Sequence, residues 1–274
     1  MGNYRKATLD EAREIMLDIL KEIDRICLKY NLKYWLSGGT LLGAIRHNGF
    51  IPWDDDIDID MLREDFEKFK KIAKIELREE FYLDSHELEE MIEYMPLKIR
   101  HKNSIYIEKW DNDKNETKGI FVDIFPYDKF SKNKIIQKKE MFPKYLYELK
   151  TMRMWSNNRS LKNRLKSLVI KFLKILPKNY IINLNKKYFQ NSLLKKDFVI
   201  GYGYGLTWRK TFEIEDIFPL KRKMFEKNQF FIPNNYKKYL KTFYGDYMKI
   251  PDEDKRLTHA LEIKILDKFK EKEC

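Results

Sequence analysis

The apolar positions in the first third of the chain change period twice, and each change marks an element. Over residues 8–30, Ala12, Ile15, Met16, Ile19, Leu20, Ile23 and Cys27 fall on one face at helical intervals. Thr8 and Glu11 stand at capping-box spacing, which predicts the start of that helix. Residues 33–37 (KYWLS) predict a short strand, broken by Gly38-Gly39 ahead of a short helix over TLLGAIRH. After a turn at Asn48-Gly49 the period becomes two. Acids alternate with apolar residues from Asp56 to Met61, the pattern of a strand.

Further elements follow from the same reading. A helix is predicted over residues 65–77, and strands over 81–83, 97–100 and 105–108. Residues 119–125 (GIFVDIF) predict a buried strand with one acid in an apolar run. Residues 160–176 carry Leu161, Leu165, Leu168, Val169, Phe172, Ile175 and Leu176 on one helical face, with lysines largely off it and Pro177 as the stop. Helices are predicted again over 236–243 and 259–269. Strands mixed with helices make the class α+β.

Composition narrows the options. The 274 residues are 43% apolar and 15% aromatic, enough for a substantial core and against a disordered chain. No apolar run approaches the length of a membrane-spanning helix, and the N-terminus has no signal-peptide core. Gly2 follows Met1, but Lys6 stands where a myristoylation site needs Ser or Thr. Cys27 and Cys274 make neither a disulfide framework nor a zinc site, so a cytoplasmic, reducing compartment is expected.

The net charge of +12 is unevenly placed. Residues 129–196 hold 19 Lys and Arg against only Glu140 and Glu148, leaving 36 basic and 41 acidic residues elsewhere. A mildly acidic body therefore carries one strongly basic block, able to meet nucleic acid, anionic lipid or a phosphate-bearing substrate. That composition suggests three segments: a core over 1–128, a basic helical segment over 129–196 and a C-terminal α/β segment over 197–274.

The chemistry concentrates in residues 37–61, SGGTLLGAIRHNGFIPWDDDIDIDM. On a strand, period two would set Asp54, Asp56, Asp58 and Asp60 on one side. Four ionised carboxylates in a row repel, and Mg²⁺ or Mn²⁺ is the natural neutraliser. An acidic solvated edge is the plain alternative. The intervening Ile57, Ile59 and Met61 weigh against it, because they imply one packed face and one cleft face. The Gly38-Gly39-Thr40 turn would let backbone N–H groups approach a phosphate, although it is neither a P-loop nor a Rossmann fingerprint. Asp123, set among Ile120, Phe121, Val122, Ile124 and Phe125, needs a metal or a strong partner if its strand is buried.

The segment GGTLLGAIRHNGFIPWDDDIDI resembles the LicD family, which is similar to fukutin-related proteins, and FYGDYMKIPDEDKRLTH near the C-terminus resembles the end of LicD proteins. The resemblance implies a nucleotidyltransferase-like mixed sheet with flanking helices. It also implies metal-dependent transfer of phosphocholine, or a related polyol phosphate, from a CDP-linked donor to a hydroxyl of a surface glycan or its lipid-linked precursor. Asp56 and Asp58 match the acidic pair and Asp123 the third acid, as catalytic and metal-binding residues. Asp54, Asp55 and Asp60 leave the metal register open by one pair. Gly38 and Gly39 match the turn at the substrate, and Thr40 beside them is a candidate substrate contact.

Arg46 and His47 lie between the turn and the acidic strand and are candidate phosphate contacts, or a surface pair capping the short helix. Trp53 is a candidate contact for a quaternary ammonium group, or core. Arg256 and His259 match the C-terminal motif, or form a helix-surface pair. The basic helix over 160–176 either packs on the core or docks peripherally on the inner membrane leaflet. A DxD glycosyltransferase and a true nucleotidyltransferase on a small molecule are the enzymatic rivals. A nucleic-acid binder leaves the acidic strand without a purpose, since it would repel phosphate.

Overall fold

The computed structural model describes residues 3–84, 97–109, 118–151, 197–203, 208–256 and 258–267, with single positions 175, 177, 180, 183 and 184. The basic helix expected over 160–176 lies, apart from Ile175, outside the described residues.

β1 (Tyr4–Lys6) leads into α1 (Leu9–Lys29). The predicted capping box forms: the Glu11 N–H donates to Thr8 Oγ1 at 3.2 Å, and the Thr8 N–H donates to Glu11 Oε2 at 2.8 Å. Ala12, Met16, Ile19, Leu20, Ile23 and Cys27 are fully buried, so the predicted stripe is the core face, and each larger side chain contributes about 1.5–3 kcal/mol.

Glu22 is the exception on that face, a buried carboxylate. Burial pushes it up, but two bonds from Arg25 (2.8 Å each) and the Arg78 N–H (3.0 Å) outweigh burial and lower it overall. A lowered carboxyl stabilises the fold above its unfolded value, about pH 4.3, and that contribution disappears as pH falls through the folded value. Glu22→Gln is therefore expected to lose about 1–3 kcal/mol at pH 7 in urea titrations, with the difference from wild type vanishing in acid.

The chain continues through β2 (Tyr34–Leu36), α2 (Gly38–Arg46), β3 (Asp58–Leu62), α3 (Arg63–Glu76), β4 (Phe81–Asp84), β5 (Leu97–His101), β6 (Ser104–Glu108) and β7 (Phe121–Ser131). After them come α4 (Lys134–Thr151), β8 (Phe198–Tyr202), β9 (Thr211–Phe212), α5 (Ile214–Ile217), the hairpin β10 (Lys221–Phe225) and β11 (Asn228–Ile232), α6 (Tyr236–Tyr244) and β12 (Ala260–Leu266).

Two compact units emerge. One comprises residues 1–85, 96–126 and 215–274; the other comprises 86–95 and 127–214. In the first, the main sheet runs β2-β3-β7-β5-β4, a second sheet runs β1-β12-β6, and β10 pairs β11. Antiparallel pairing sets Lys98 on β5 opposite Asp123 on β7. In the second unit, residues 127–131 of β7 pair antiparallel with β8, and β8 pairs with β9.

Three expectations are corrected. The helix expected over 259–269 is replaced by a strand over its described part: β12 is hydrogen-bonded between β1 and β6. Leu261, Ile263 and Ile265 alternate with Glu262 and Lys264, a period-two pattern that pairing on both edges selects. The short helix begins at Gly38 itself instead of after the glycines. The acidic strand begins at Asp58, so Asp54 and Asp56 lie in irregular chain before it and the four acids do not share one strand face.

Candidate active site

Where β2 ends, Gly38 takes φ +51°, a left-handed conformation costly to any residue with a Cβ, and opens α2. A Cβ on Gly38 would lie 2.7 Å from Asp58 Oδ2, and one on Gly39 would lie 2.7 Å from Asp54 Oδ2. The two glycines are thus the floor on which two carboxylates rest. Thr40 is buried, and its Oγ1 accepts the Asp58 N–H at 2.8 Å. The Ser37 N–H donates to the Asp58 carbonyl at 3.1 Å. The turn and the start of β3 are therefore stitched together from both sides.

The stretch before β3 is shaped by distant partners. The Arg13 guanidinium on α1 donates to the carbonyls of Ile51, Pro52 and Asp54 at 2.8–3.1 Å. The buried Asp55 carboxylate accepts the N–H groups of His259 (2.9 Å) and Ala260 (2.7 Å), and Tyr106 donates its hydroxyl to the Asp55 carbonyl at 3.0 Å. Asp55 thereby turns inward, clamping the C-terminal segment, while its neighbours Asp54 and Asp56 stand beside the glycine turn. Asp60 lies in the core with Oδ2 accepting the Tyr239 hydroxyl at 2.9 Å, a structural place for the last acid of the run.

Crowding dominates the electrostatics. Burial, then the Asp56 charge, pushes Asp54 up to about 8. Burial, followed by the charges of Asp56, Asp123, Asp54 and Asp60, holds Asp58 well above the ordinary carboxylate range. Asp123 is raised by burial, with Lys98 pulling the other way through a 2.9 Å ion pair to Oδ2. Its Oδ1 is buried without a hydrogen-bond partner, as is Ser37 Oγ. His259 places Nδ1 2.7 Å from Asp56 Oδ2, and that bond raises the imidazole to about 9.

The structure thus brings Gly38, Gly39, Thr40, Asp56, Asp58, Asp123 and His259 into one electrostatic cluster. The others sit around it. The Arg46 guanidinium donates to His47 Nε2 (2.9 Å) and to the Tyr247 carbonyl (3.0 Å), and burial lowers His47. Arg256 lies over the half-buried Trp53 ring at 4.5 Å, so one face of that ring already holds a cation of this chain. Arg256 and His259 do not form a helix-surface pair; they flank the entry to β12.

Sequence reasoning missed Lys98, Arg13 and the inward role of Asp55. Lys98 could have been found by pairing the two predicted strands antiparallel. For Arg13, 41 residues from Asp54, no local signal exists.

Comparison with known proteins identifies the family of the chain. Residues 31–158 match the family model described as LicD/FKTN/FKRP, nucleotidyltransferase domain. A lipopolysaccharide cholinephosphotransferase, LicD, from Haemophilus influenzae is 32% identical over 96% of this chain and all of its own length. Ribitol 5-phosphate transferase FKRP of human and mouse is 56% identical over 34 residues, 12% of this chain and 7% of those proteins. An uncharacterized Rickettsia prowazekii protein is 48% identical over 50 residues, 18% of this chain and 19% of its own. Matched by the family model across its diglycine turn, its aspartates and Asp123, and by a relative along nearly its whole length, the chain belongs to the LicD family.

Proposed function

We propose that this chain is a metal-dependent transferase that moves phosphocholine, or a related polyol phosphate, from a CDP-linked donor to a hydroxyl of a cell-surface glycan or its lipid-linked precursor, releasing CMP. The observation that carries the reading is the seating of the Asp54 and Asp58 carboxylates on the diglycine turn at the start of α2. The names of the relatives, a cholinephosphotransferase and a ribitol 5-phosphate transferase, support the kind of group moved. The nucleotidyltransferase-like assignment of the main sheet belongs to the same reading, supported by the description of the matching family model.

Mg²⁺ or Mn²⁺ fits the residues present. Several carboxylates raise one another's protonation, and a buried Asp123 oxygen has no partner, so a cation would relieve both costs. Among the described residues no group of three or more His, Cys, Asp or Glu side chains is placed to hold a metal ion by itself. Mg²⁺ does not require such a group, since phosphates and water complete a shell begun by one or two carboxylates. Asp56 and Asp58 would hold the ion, which when bound neutralises charge on the donor diphosphate, and Asp123 would serve as a third ligand or as the base.

The chain's own residues supply the rest. The first N–H groups of α2, at Gly38, Gly39 and Thr40, have no intrahelical acceptor and suit a phosphate. Asp123, oriented by Lys98, would receive the proton of the attacking glycan hydroxyl. His259 orients Asp56, and Arg46, His47, Trp53 and Arg256 surround the donor. Phosphoryl-type transfer needs positioning and charge neutralisation more than covalent catalysis, which is what these groups offer.

The test is a donor screen with Mg²⁺ and glycan-bearing membranes, scoring CMP release from CDP-choline, CDP-ribitol and CDP-glycerol. CMP is expected from one of them. Pyrophosphate release from a nucleoside triphosphate would favour a nucleotidyltransferase, and nucleotide release from a sugar nucleotide would favour a glycosyltransferase.

A further inference from the structure

The second compact unit contains a feature the transfer reading does not use. α4 buries one face and leaves the opposite one in water. The buried face is fixed by polar anchors. Lys144, almost fully buried, donates its Nζ to the carbonyls of Tyr202 and Trp208. Glu140 accepts the Ser131 N–H at 2.8 Å, and Gln137 is buried beside it. These anchors dictate which side faces outward, so the outward residues are not there by a free rotation of the helix.

On that outward side Ile135 is 69% exposed, Ile136 48%, Phe142 54% and Tyr145 38%. Positions 135, 138, 139 and 142 follow helical spacing, so exposed Lys138 and Lys139 stand between Ile135 and Phe142. Among the described residues neither lysine has an ion-pair partner. Arg209 adds a further cation, lying over the Tyr145 ring at 4.9 Å. Glu140, the acid of this stretch whose side chain is described, is buried.

We infer that the outward face of α4 docks on an anionic lipid bilayer. Charge complementarity selects the occupant. An apolar stripe interleaved with unpaired lysines matches an interfacial helix, whose apolar side chains enter the acyl boundary while lysines meet anionic head groups. A nucleic-acid groove would use the lysines but leave two isoleucines in water. The inference is independent of the donor and acceptor chemistry, because it concerns vesicle binding without either.

The experiment is co-sedimentation of the full chain with vesicles of mixed phosphatidylglycerol and phosphatidylcholine, and of phosphatidylcholine alone. Salt-sensitive binding to the mixed vesicles is expected. Ile135→Ser with Phe142→Ser should weaken it about tenfold, and Lys138→Ala with Lys139→Ala about thirtyfold. All four side chains are exposed, so circular dichroism should show both variants folded. Failure to bind the mixed vesicles overturns the inference, as does binding that both variants retain, which would place the contact elsewhere. Two further results also overturn it: sedimentation velocity showing self-association lost in Ile135→Ser with Phe142→Ser, and duplex DNA binding lost only in the lysine variant.

Discussion

Asp58→Asn is expected to abolish turnover, by at least about a thousandfold in kcat/KM, while raising the melting temperature. The two effects share one cause. Asp58 is a carboxylate that burial and its neighbours Asp56, Asp123 and Asp54 push far above its ordinary range. A carboxyl raised in the folded state costs stability as pH climbs from its unfolded value, about 3.9, toward the folded one. Asparagine keeps the shape and removes the charge, so the variant should melt at least about 3 °C higher at pH 7 in chelator. Asp54 should follow the same sign: held at about 8, it makes the metal-free wild type lose stability between about pH 4 and pH 8, and Asp54→Asn should flatten that decline. Asp56→Asn should likewise abolish turnover. Lost activity with gained stability is the signature of charges gathered for a ligand rather than for the fold; scanning calorimetry beside the CMP assay reads both.

The second large effect is expected at Gly38. An alanine there meets two penalties, about 1–2 kcal/mol for the left-handed backbone and a Cβ 2.7 Å from Asp58 Oδ2. The carboxylate must move, and a displacement of that order next to a reacting phosphate costs about a hundredfold in rate. Gly245, the cap of α6, supplies the control. Its φ is +64°, but a Cβ there meets nothing within 4 Å. Gly245→Ala should lose similar stability and keep its rate, whereas Gly38→Ala should lose both. Equal rates in the two variants would detach the glycine turn from the chemistry.

Much of the scaffold was legible because its signals are local. The Thr8–Glu11 box, the Ala12–Cys27 stripe and the apolar run around Asp123 each report their own environment within a few residues. The end of the chain misled because Leu261, Ile265 and Phe269 stand at helical spacing while Ile263 between them completes a period-two pattern, and only pairing with β1 and β6 decides between the two.

The aspartate run shows the same limit at the site. Alternation suggested one carboxylate face, but the acids of residues 54–60 divide three ways. Asp54, Asp56 and Asp58 gather at the turn, Asp55 faces inward to the His259 and Ala260 N–H groups, and Asp60 is taken by Tyr239. Arg13, Tyr106 and Tyr239 decide this from 41 to 179 residues away. No window of sequence contains those partners, which is why chemistry was readable in the run while its division of labour was not.

The central claim is that these carboxylates capture a divalent cation, and Mn²⁺ binding read by electron paramagnetic resonance tests it most directly. Titrated into the metal-free full chain with CMP present, Mn²⁺ should bind saturably. Asp58→Asn and Asp56→Asn, both folded, should abolish that binding. Mn²⁺ bound as tightly by both variants as by wild type would contradict the account.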